Sequence, residues 1–322
     1  MDLHEVIVRR KWIAADGIAA FELVDPAGKR MPAFTPGAHV AISVGLPSGA
    51  RLLRTYSLCN APAENDFYLL GVKREPASRG GSVAMHERVK AGDVLQISLP
   101  VNNFPLASQA DSHLLLGAGI GITPLLSMAQ HLHAEGKAFA MHYFARGADH
   151  VAFRDRLAPL ESAGLVHYHL GLSSGETEAC LCSIMAGTDD GRHAYACGPA
   201  PFMDTVHRLG AESWTPQRLH FEHFQAPAEV PSAGTPFELR LRRSGLHCTV
   251  DPLESILCAL GRIGVEVDTS CEQGVCGTCL TRVLAGEPEH RDAYLTDAER
   301  AANDQMLICV GRSRSPVLEL DL

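Results

Sequence analysis

Four cysteines near the end of the chain limit its fold more than any other feature. Cys271, Cys276 and Cys279 follow one another in the spacing C-x4-C-x2-C, and Cys309 comes after 29 intervening residues. Plant-type [2Fe–2S] sites have this spacing. Glycines within the loop favour the same interpretation, because a backbone without Cβ turns tightly and can bring N–H groups close to sulfur.

Two other uses of clustered cysteines compete with an iron–sulfur cluster. Zinc sites usually pair C-x2-C knuckles, and a four-residue spacing followed by a two-residue spacing on one loop is not such a pair. Disulfides are rare in reducing compartments, and the N-terminus "MDLHEVIVRRKW" shows no apolar segment behind a basic one. We therefore expect a cytoplasmic protein in which Cys271, Cys276, Cys279 and Cys309 hold a [2Fe–2S] cluster.

Length and charge exclude several classes of protein. A chain of 322 residues is about twice a typical domain, so two or three domains are expected. The formal net charge of −9 argues against a nucleic-acid-binding protein, which usually carries a basic stripe. Apolar runs such as "HLLLGAGIGITPLLSMA" are broken by glycine and proline and are too short to span a bilayer.

The pattern of apolar residues changes along the chain and predicts three folded regions. Residues 1–103 contain short β-type runs separated by turns, which predict a small antiparallel barrel or sandwich. Residues 104–225 alternate strand and helix, as in a parallel sheet with crossover helices. A proline-containing segment, 226–236, resembles a semi-extended linker. Residues 237–322 open with a predicted hairpin, continue with a helix and include the four spaced cysteines.

Two glycine-rich turns in the second region are candidate phosphate-binding loops. The segment "GAGIGITP" (117–124) follows an apolar strand and opens a helix, so that backbone N–H groups would face an incoming anion. It is not the usual dinucleotide motif, because Ile122 stands where a third glycine is required. The segment "YACGP" (195–199) is a second strand that runs into a turn. From the residues alone, a nucleotide site and a tight packing turn both remain open.

Two segments of the first region raise a similar choice. "RTYSL" (54–58) lies on a predicted strand, and "VKREPASRGGS" (72–82) ends in a glycine-rich turn with a neighbouring arginine, which is either a phosphate cradle or a solvated turn. The remaining cysteines are expected to be ordinary thiols, with Cys180 and Cys182 in a loop.

These motifs occur in an order that resembles the phthalate dioxygenase reductase family, the reductase components of Rieske-type aromatic-ring oxygenases and O-demethylases. The resemblance implies an antiparallel β-barrel flavin domain, an α/β parallel-sheet nicotinamide domain and a C-terminal β-grasp plant-type ferredoxin domain. It implies FMN contacts from Arg54, Thr55, Tyr56, Ser57, Val72, Lys73, Arg79, Gly80, Gly81, Ser82, Thr123 and Phe224, with Phe221 as the second candidate for the aromatic cover of the ring. It implies NAD contacts from Gly119, Gly121, Pro124, Cys197, Gly198 and Pro199, to which we add Arg146, the basic residue at the end of the second strand.

The resemblance also implies an activity. A member of this family passes electrons from NADH through FMN and a [2Fe–2S] cluster to a separate Rieske-type oxygenase, with no general acid or base on the protein. We expect a monomer that binds neither nucleic acid nor membranes. The alternatives are a reductase that serves another acceptor, such as a cytochrome P450, and a stand-alone electron carrier.

Overall fold

The computed structural model describes residues 3–46, 49, 51–76, 80–186, 191–224, 234–269 and 271–322. It divides into two compact units, residues 1–224 and residues 225–322. Most of the predicted linker, 226–236, lies outside the described residues. In the described part of the chain, no helix combines the length and apolar character needed to cross a bilayer.

A six-stranded antiparallel sheet forms the first part of unit 1. Its strands are β1 (Leu3–Ala15), β2 (Ile18–Val24), β3 (His39–Gly45), β4 (Arg51–Ser57), β5 (Tyr68–Lys73) and β6 (Val94–Ser98), with helix α1 (Gly81–Glu87) between the last two. The order is β4-β3-β6-β1-β2-β5, and a bridge between Leu58 and Leu70 joins the two edge strands into a barrel. Fully buried aliphatic and aromatic side chains, such as Phe21 and Ile42, fill its interior.

A five-stranded parallel sheet forms the second part of unit 1. Its strands are β7 (Ser112–Ala118), β8 (Ala138–Ala145), β9 (Val166–Leu170), β10 (Arg192–Cys197) and β11 (Leu219–Glu222), and its helices are α2 (Ile122–Ala134), α3 (Arg154–Ser162), α4 (Ser174–Met185) and α5 (Ala200–Ser213). The order is β11-β10-β7-β8-β9, so the direction of winding reverses between β7 and β10. Open α/β sheets bind ligands beyond the carboxyl ends of the strands at this reversal.

Unit 2 contains a mixed five-stranded sheet and a separate two-stranded sheet. The larger sheet is formed by β12 (Phe237–Leu241), β13 (His247–Val250), β14 (Leu280–Ala285), β16 (Gln305–Leu307) and β18 (Val317–Leu320), and the smaller by β15 (Pro288–Glu289) and β17 (Arg312–Ser313). The helices of the unit are α6 (Ile256–Arg262) and α7 (Asp297–Ala302). The order in the larger sheet is β13-β12-β18-β14-β16, with β12 and β18 parallel. The apolar face of α6, including Ile256 and Leu260, packs against the sheet in a β-grasp arrangement.

One local expectation was wrong. Cys180 and Cys182 lie on helix α4 and not in a loop. The helix begins with a capping box, in which the Ser173 hydroxyl accepts from the Glu176 N–H and the Glu176 carboxylate accepts from the Ser173 N–H. The pattern S-x-x-E is a helix-start signal that sequence reasoning overlooked. The structure contains no disulfide between any of the ten cysteines.

Candidate functional site

Strand β4 carries the predicted flavin motif R-x-Y-S and faces the glycine-rich turn before α1. A Cβ on Gly81 would lie 2.9 Å from Cγ of Arg54, so the arginine side chain occupies the space that a larger residue would need. Tyr56 is half-buried against the barrel core, and burial raises the pKa of its hydroxyl. Ser57 is buried at the end of the strand. Thr55 lies between Arg54 and Tyr56 in the strand and is paired with Ala41 of β3.

The predicted phosphate turn is only partly described. Gly80 adopts a left-handed conformation (φ 91°), which favours glycine, and Ser82 Oγ accepts a hydrogen bond from the Glu75 N–H at 3.1 Å. Arg79, the predicted phosphate contact, lies outside the described residues. On the neighbouring strand β5, Val72 is buried and Lys73 is exposed beside the carboxylate of Glu75.

Two buried side chains and one partly buried side chain join the barrel to the parallel sheet. The Ser57 hydroxyl donates to Oε2 of Glu222 at 3.2 Å, although 165 residues separate the two in sequence. Glu222 is paired across the sheet with Cys197, which is fully buried at the end of β10. A hydroxyl, a carboxyl group and a thiol therefore meet where the two sheets of unit 1 approach each other.

Burial controls the protonation of this constellation. It raises the pKa of Glu222 to about 8, and the hydrogen bond from Ser57 opposes this shift. Burial also raises the pKa of the Cys197 thiol well above its usual range, and the neighbouring Glu222 carboxyl group adds to the shift. Burial thus favours the uncharged form of both the thiol and the carboxyl group.

The loops after β7 and β10 contain glycines of two kinds. Gly119 has φ 54° and nothing within 4 Å of its Cβ position, so it adjoins open space. By contrast, a Cβ on Gly121 would lie 2.1 Å from the carbonyl oxygen of Cys197, and one on Gly198 would lie 2.9 Å from Cβ of Ala118. Gly121 and Gly198 are therefore required by the close approach of the two loops themselves.

The other predicted contacts of the nicotinamide region lie near the same edge of the sheet. Thr123 is buried at the start of α2, where its hydroxyl donates to the Ile120 carbonyl, and Pro124 follows it in the helix core. Pro199 precedes the first residue of α5. Arg146 is exposed just after β8.

The two aromatic candidates differ in their surroundings. Phe221 stacks on His207 with ring centroids 3.7 Å apart, on the side of the sheet that α4 and α5 cover. Phe224 instead packs against the core that contains Cys197 and Ile122. Only Phe224 is thus associated with the core that reaches the Cys197 end of β10.

The four spaced cysteines meet in unit 2. Each is 5–7 % exposed, and the loop that carries three of them bends at Gly274 and Gly277, which have φ of 72° and 74°. The Gln273 N–H donates to Sγ of Cys271 at 3.3 Å. The hydroxyl of Thr278 lies 3.3 Å from Sγ of Cys276.

The sulfur atoms are arranged as two pairs, Cys271 with Cys276 and Cys279 with Cys309. The hydrogen bond from Cys271 is the main cause that lowers the pKa of the Cys276 thiol to about 5, and the bond from Cys309 lowers the pKa of Cys279. No group of three or more His, Cys, Asp or Glu surrounds a single metal position among the described residues. Two pairs of cysteines fit a two-iron cluster, in which each iron takes two cysteines, and do not fit one tetrahedral zinc.

Comparisons with known proteins agree with this geometry. Residues 239–313 match the family model of the 2Fe-2S iron-sulfur cluster binding domain. The chain is 42% identical over 319 residues to a vanillate O-demethylase oxidoreductase of a Pseudomonas species, covering 99% of both chains. The solved structure of phthalate dioxygenase reductase, described as modular for electron transfer from pyridine nucleotides to [2Fe-2S], superposes with a TM-score of 0.74 at 38% identity, covering 99% of this chain and 98% of that one.

The chain belongs to the phthalate dioxygenase reductase family. As a member, it is an iron–sulfur oxidoreductase with the predicted β-barrel, α/β and β-grasp folds, and these predictions are confirmed. The predicted cofactors, FMN, NADH and a [2Fe–2S] cluster, agree with membership of this family. The chain also resembles part of an intact type IV self-sufficient cytochrome P450 monooxygenase, with a TM-score of 0.86 and 31% identity over 99% of this chain, but it spans only 41% of that longer protein.

Sequence reasoning missed two residues that the fold brings to the site. Glu222 lies between the two aromatic candidates in "HFEHF", but nothing in that segment indicates burial beside Ser57. Gly71 precedes the predicted flavin contact Val72, and a Cβ there would lie 2.8 Å from Thr123 and 2.9 Å from Phe153. Both roles depend on contacts between the barrel and the parallel sheet.

Proposed function

We propose that this protein passes electrons from NADH through FMN and its [2Fe–2S] cluster to a separate Rieske-type oxygenase. The observation that carries the proposal is the contact between the R-x-Y-S strand and the carboxyl edge of the parallel sheet, made by Ser57, Glu222 and Cys197. A flavin bound at this strand and a nicotinamide bound at this loop would lie close enough for transfer between their rings. The four cysteines on the same chain then supply the next carrier.

The described residues fit FMN at this position. Arg54 offers a cationic side chain beside Gly81, where a Cβ would clash with it, and Gly80 before it has a left-handed φ that favours glycine. We assign the phosphate to this cradle, together with Arg79 and Ser82, because charge-assisted hydrogen bonds favour phosphate. Tyr56, Thr55, Val72 and Lys73 would line the ring and ribityl chain.

The described residues also fit a nicotinamide nucleotide at the reversal of the sheet. Gly119 leaves open space beside the start of α2, and we assign the pyrophosphate to it together with Gly121 and Pro124. Thr123, at the start of the same helix, would contact FMN. Cys197, Gly198 and Pro199 would lie against the nicotinamide, and Phe224 would cover the flavin ring. Arg146 would contact the adenosine part.

When bound, FMN accepts a hydride and returns electrons singly, and a [2Fe–2S] cluster carries one electron at a time. Cys197 presents a buried thiol, which would exclude water from a bound ring without adding a charge. The raised pKa of Glu222 favours its protonated form, and the hydrogen bond from Ser57 holds that carboxyl group at the end of the flavin strand. These residues would thus orient the rings and offer a proton near them.

The finer assignments are also part of the proposal. We assign 1–103 to flavin binding, 104–225 to nicotinamide binding, 226–236 to a linker and 237–322 to the cluster. We further propose a monomer in the cytoplasm, where thiols stay reduced, as in this chain, whose ten cysteines form no disulfide. Sedimentation of the purified protein as one chain tests the monomer.

The experiment that tests the function is a stepwise reconstruction. The purified protein should release FMN on denaturation and show the electron paramagnetic resonance signal of a reduced [2Fe–2S] cluster after anaerobic addition of NADH. It should then drive turnover by a Rieske-type oxygenase of the phthalate or vanillate class. A protein that lacks flavin, or that reduces its cluster but transfers no electrons to any such oxygenase, contradicts the proposal.

The likeness to a self-sufficient P450 monooxygenase favours a second candidate acceptor, a cytochrome P450. The same reconstruction separates the two. NADH-dependent reduction of a P450 haem at a rate above that of the Rieske oxygenase would favour the second candidate.

A further inference from the structure

A second segment of unit 2, residues 290–295, supports the cluster loop from behind. A Cβ on Gly274 would lie 3.0 Å from Cα of Asp292, and one on Gly277 would lie 2.5 Å from Cζ of Tyr294. The Ala293 N–H also donates to the Gly274 carbonyl at 3.0 Å. Both left-handed glycines of the loop therefore rest against this segment.

Asp292 determines the shape of that segment. Its side chain is 1% exposed, and its Oδ2 accepts from the N–H groups of Tyr294 at 3.1 Å and Leu295 at 2.8 Å. Arg300 donates from Nη2 to the Asp292 carbonyl at 2.6 Å, which holds the same turn from the other side. The turn aims the Ala293 N–H and the Tyr294 ring at the two glycines.

The burial of this carboxyl group needs an explanation, because a buried charge is unfavourable unless it is paired and hydrogen-bonded. Oδ1 of Asp292 is buried with no hydrogen-bond partner, and the nearest basic atoms are Nδ1 of His290, 3.8 Å from Oδ1, and Nη2 of Arg300, 3.9 Å from Oδ2. A turn that stood alone on the surface would not require a buried carboxyl group. A turn that must hold the Ala293 N–H and the Tyr294 ring against the cluster loop does require one.

We infer that Asp292 is a positioning residue for the cluster-binding loop, fixing through its two backbone hydrogen bonds the turn that supports Gly274 and Gly277. The inference rests on the proposed role of Cys271, Cys276, Cys279 and Cys309 as cluster ligands. It goes beyond that role, because Asp292 touches none of the reacting groups and acts only through the backbone of the loop.

The test compares three variants of the full-length holoprotein. Asp292→Ala removes the acceptor, and Asp292→Asn keeps an oxygen that can accept both N–H groups. Asp304→Ala removes an exposed carboxylate from the same unit, just after the next helix, which makes it the matched control for charge. The first readout is the rate at which visible absorption of the cluster is lost to an iron chelator. The second is the electron paramagnetic resonance line shape of the reduced cluster, which reports the surroundings of the sulfurs.

Asp292→Ala is expected to lose its cluster about tenfold faster or more and to show an altered line shape, because two backbone N–H groups lose their acceptor and the turn loses its shape. Asp292→Asn and Asp304→Ala should behave as the parent does. Parent-like loss in Asp292→Ala overturns the inference. Equal acceleration in Asp304→Ala, or in Asp292→Asn, overturns it as well, because charge and not the hydrogen-bonded turn would then be responsible.

If Asp292→Ala does not fold, a second variant still tests the inference. Tyr294→Ala keeps the turn but removes the ring from Gly277, and it too should accelerate cluster loss, whereas a parent-like rate overturns the inference. Failure of the ligand assignment can be distinguished from failure of the inference about Asp292. If the ligand assignment is wrong, Cys276→Ser retains a parent-like cluster, whatever the rate of cluster loss in the Asp292 variants.

Discussion

Replacing Glu222 with glutamine removes an ionisable group from the contact between the barrel and the parallel sheet while preserving its size. The Ser57 hydroxyl lies 3.2 Å from Oε2 of Glu222, and a glutamine oxygen in that position can still accept its hydrogen bond. The substitution therefore isolates the effect of the proton that burial holds on this side chain.

The expected effect follows from the pKa, which burial raises from 4.5 to about 8. Between these values the unfolded chain has released the proton that the folded chain retains, so the free energy of unfolding falls as pH rises. At about 1.4 kcal/mol per pKa unit, the full shift corresponds to roughly 4–5 kcal/mol above pH 8. Because part of the Glu222 surface stays exposed to water, which screens the effect, we expect the free energy of unfolding to fall by about 2–4 kcal/mol.

The assay is urea unfolding of the flavin-free protein at about pH 5 and about pH 9, followed by tryptophan fluorescence. Both tryptophans, Trp12 and Trp214, lie in unit 1, so the signal reports the unit that contains Glu222. Glu212→Gln, at an exposed position of α5, is the matched control.

The difference in unfolding free energy between Glu222→Gln and the parent should grow by about 2–4 kcal/mol in favour of the variant as pH rises from 5 to 9. The Glu212→Gln difference should stay constant. A Glu222→Gln difference that does not change with pH would refute the reasoning, since Glu222 would then ionise in the folded protein as it does in water.

Three further predictions concern other parts of the molecule. Cys276→Ser should abolish the cluster signal but keep NADH–ferricyanide activity. Cys258→Ser, at an exposed cysteine of the same unit, should keep the signal and the activity. Loss of the signal and of the ferricyanide activity together in Cys276→Ser would contradict separate flavin and cluster modules. Gly121→Ala should destabilise unit 1 by about 1–3 kcal/mol in the tryptophan assay, because its Cβ would lie 2.1 Å from the Cys197 carbonyl oxygen, and unchanged stability would show that the loops can separate without cost. Residues 237–322 carry 14 acidic and 9 basic side chains, so electron delivery to a basic oxygenase surface should slow at high salt. Glu272→Lys should raise the apparent KM for the oxygenase without loss of the cluster. A KM independent of salt would leave the acidic residues a role in solubility only.

The four cysteines that we propose as cluster ligands could be picked out from the sequence because their information is local. Three of the four cysteines occupy one loop, and the spacing restricts which metal centre they can hold. The order of antiparallel and parallel regions was equally accessible, since strand and helix periodicities are properties of neighbouring residues. Even so, a local signal can be overlooked, as the capping box of Ser173 and Glu176 was.

The glycines of the nicotinamide loops show where sequence reasoning ends. Gly119 and Gly121 look alike in "GAGIGITP", yet only Gly119 adjoins open space, whereas Gly121 is required by the carbonyl oxygen of Cys197. The choice between Phe224 and Phe221 was of the same kind. It depends on which face of the sheet each ring packs against.

The sequence by itself determined the spacing of the four cysteines, the presence of antiparallel and parallel sheets and the order in which these sheets follow along the chain. Only the tertiary structure brought Ser57 to Glu222 across 165 residues and raised the pKa of that carboxyl group. The same is true of Asp292, whose carboxylate is buried behind the cluster loop. Periodicity and spacing are set by covalent neighbours, but burial and desolvation are set by whatever the rest of the chain packs around a group, and no short segment contains that information.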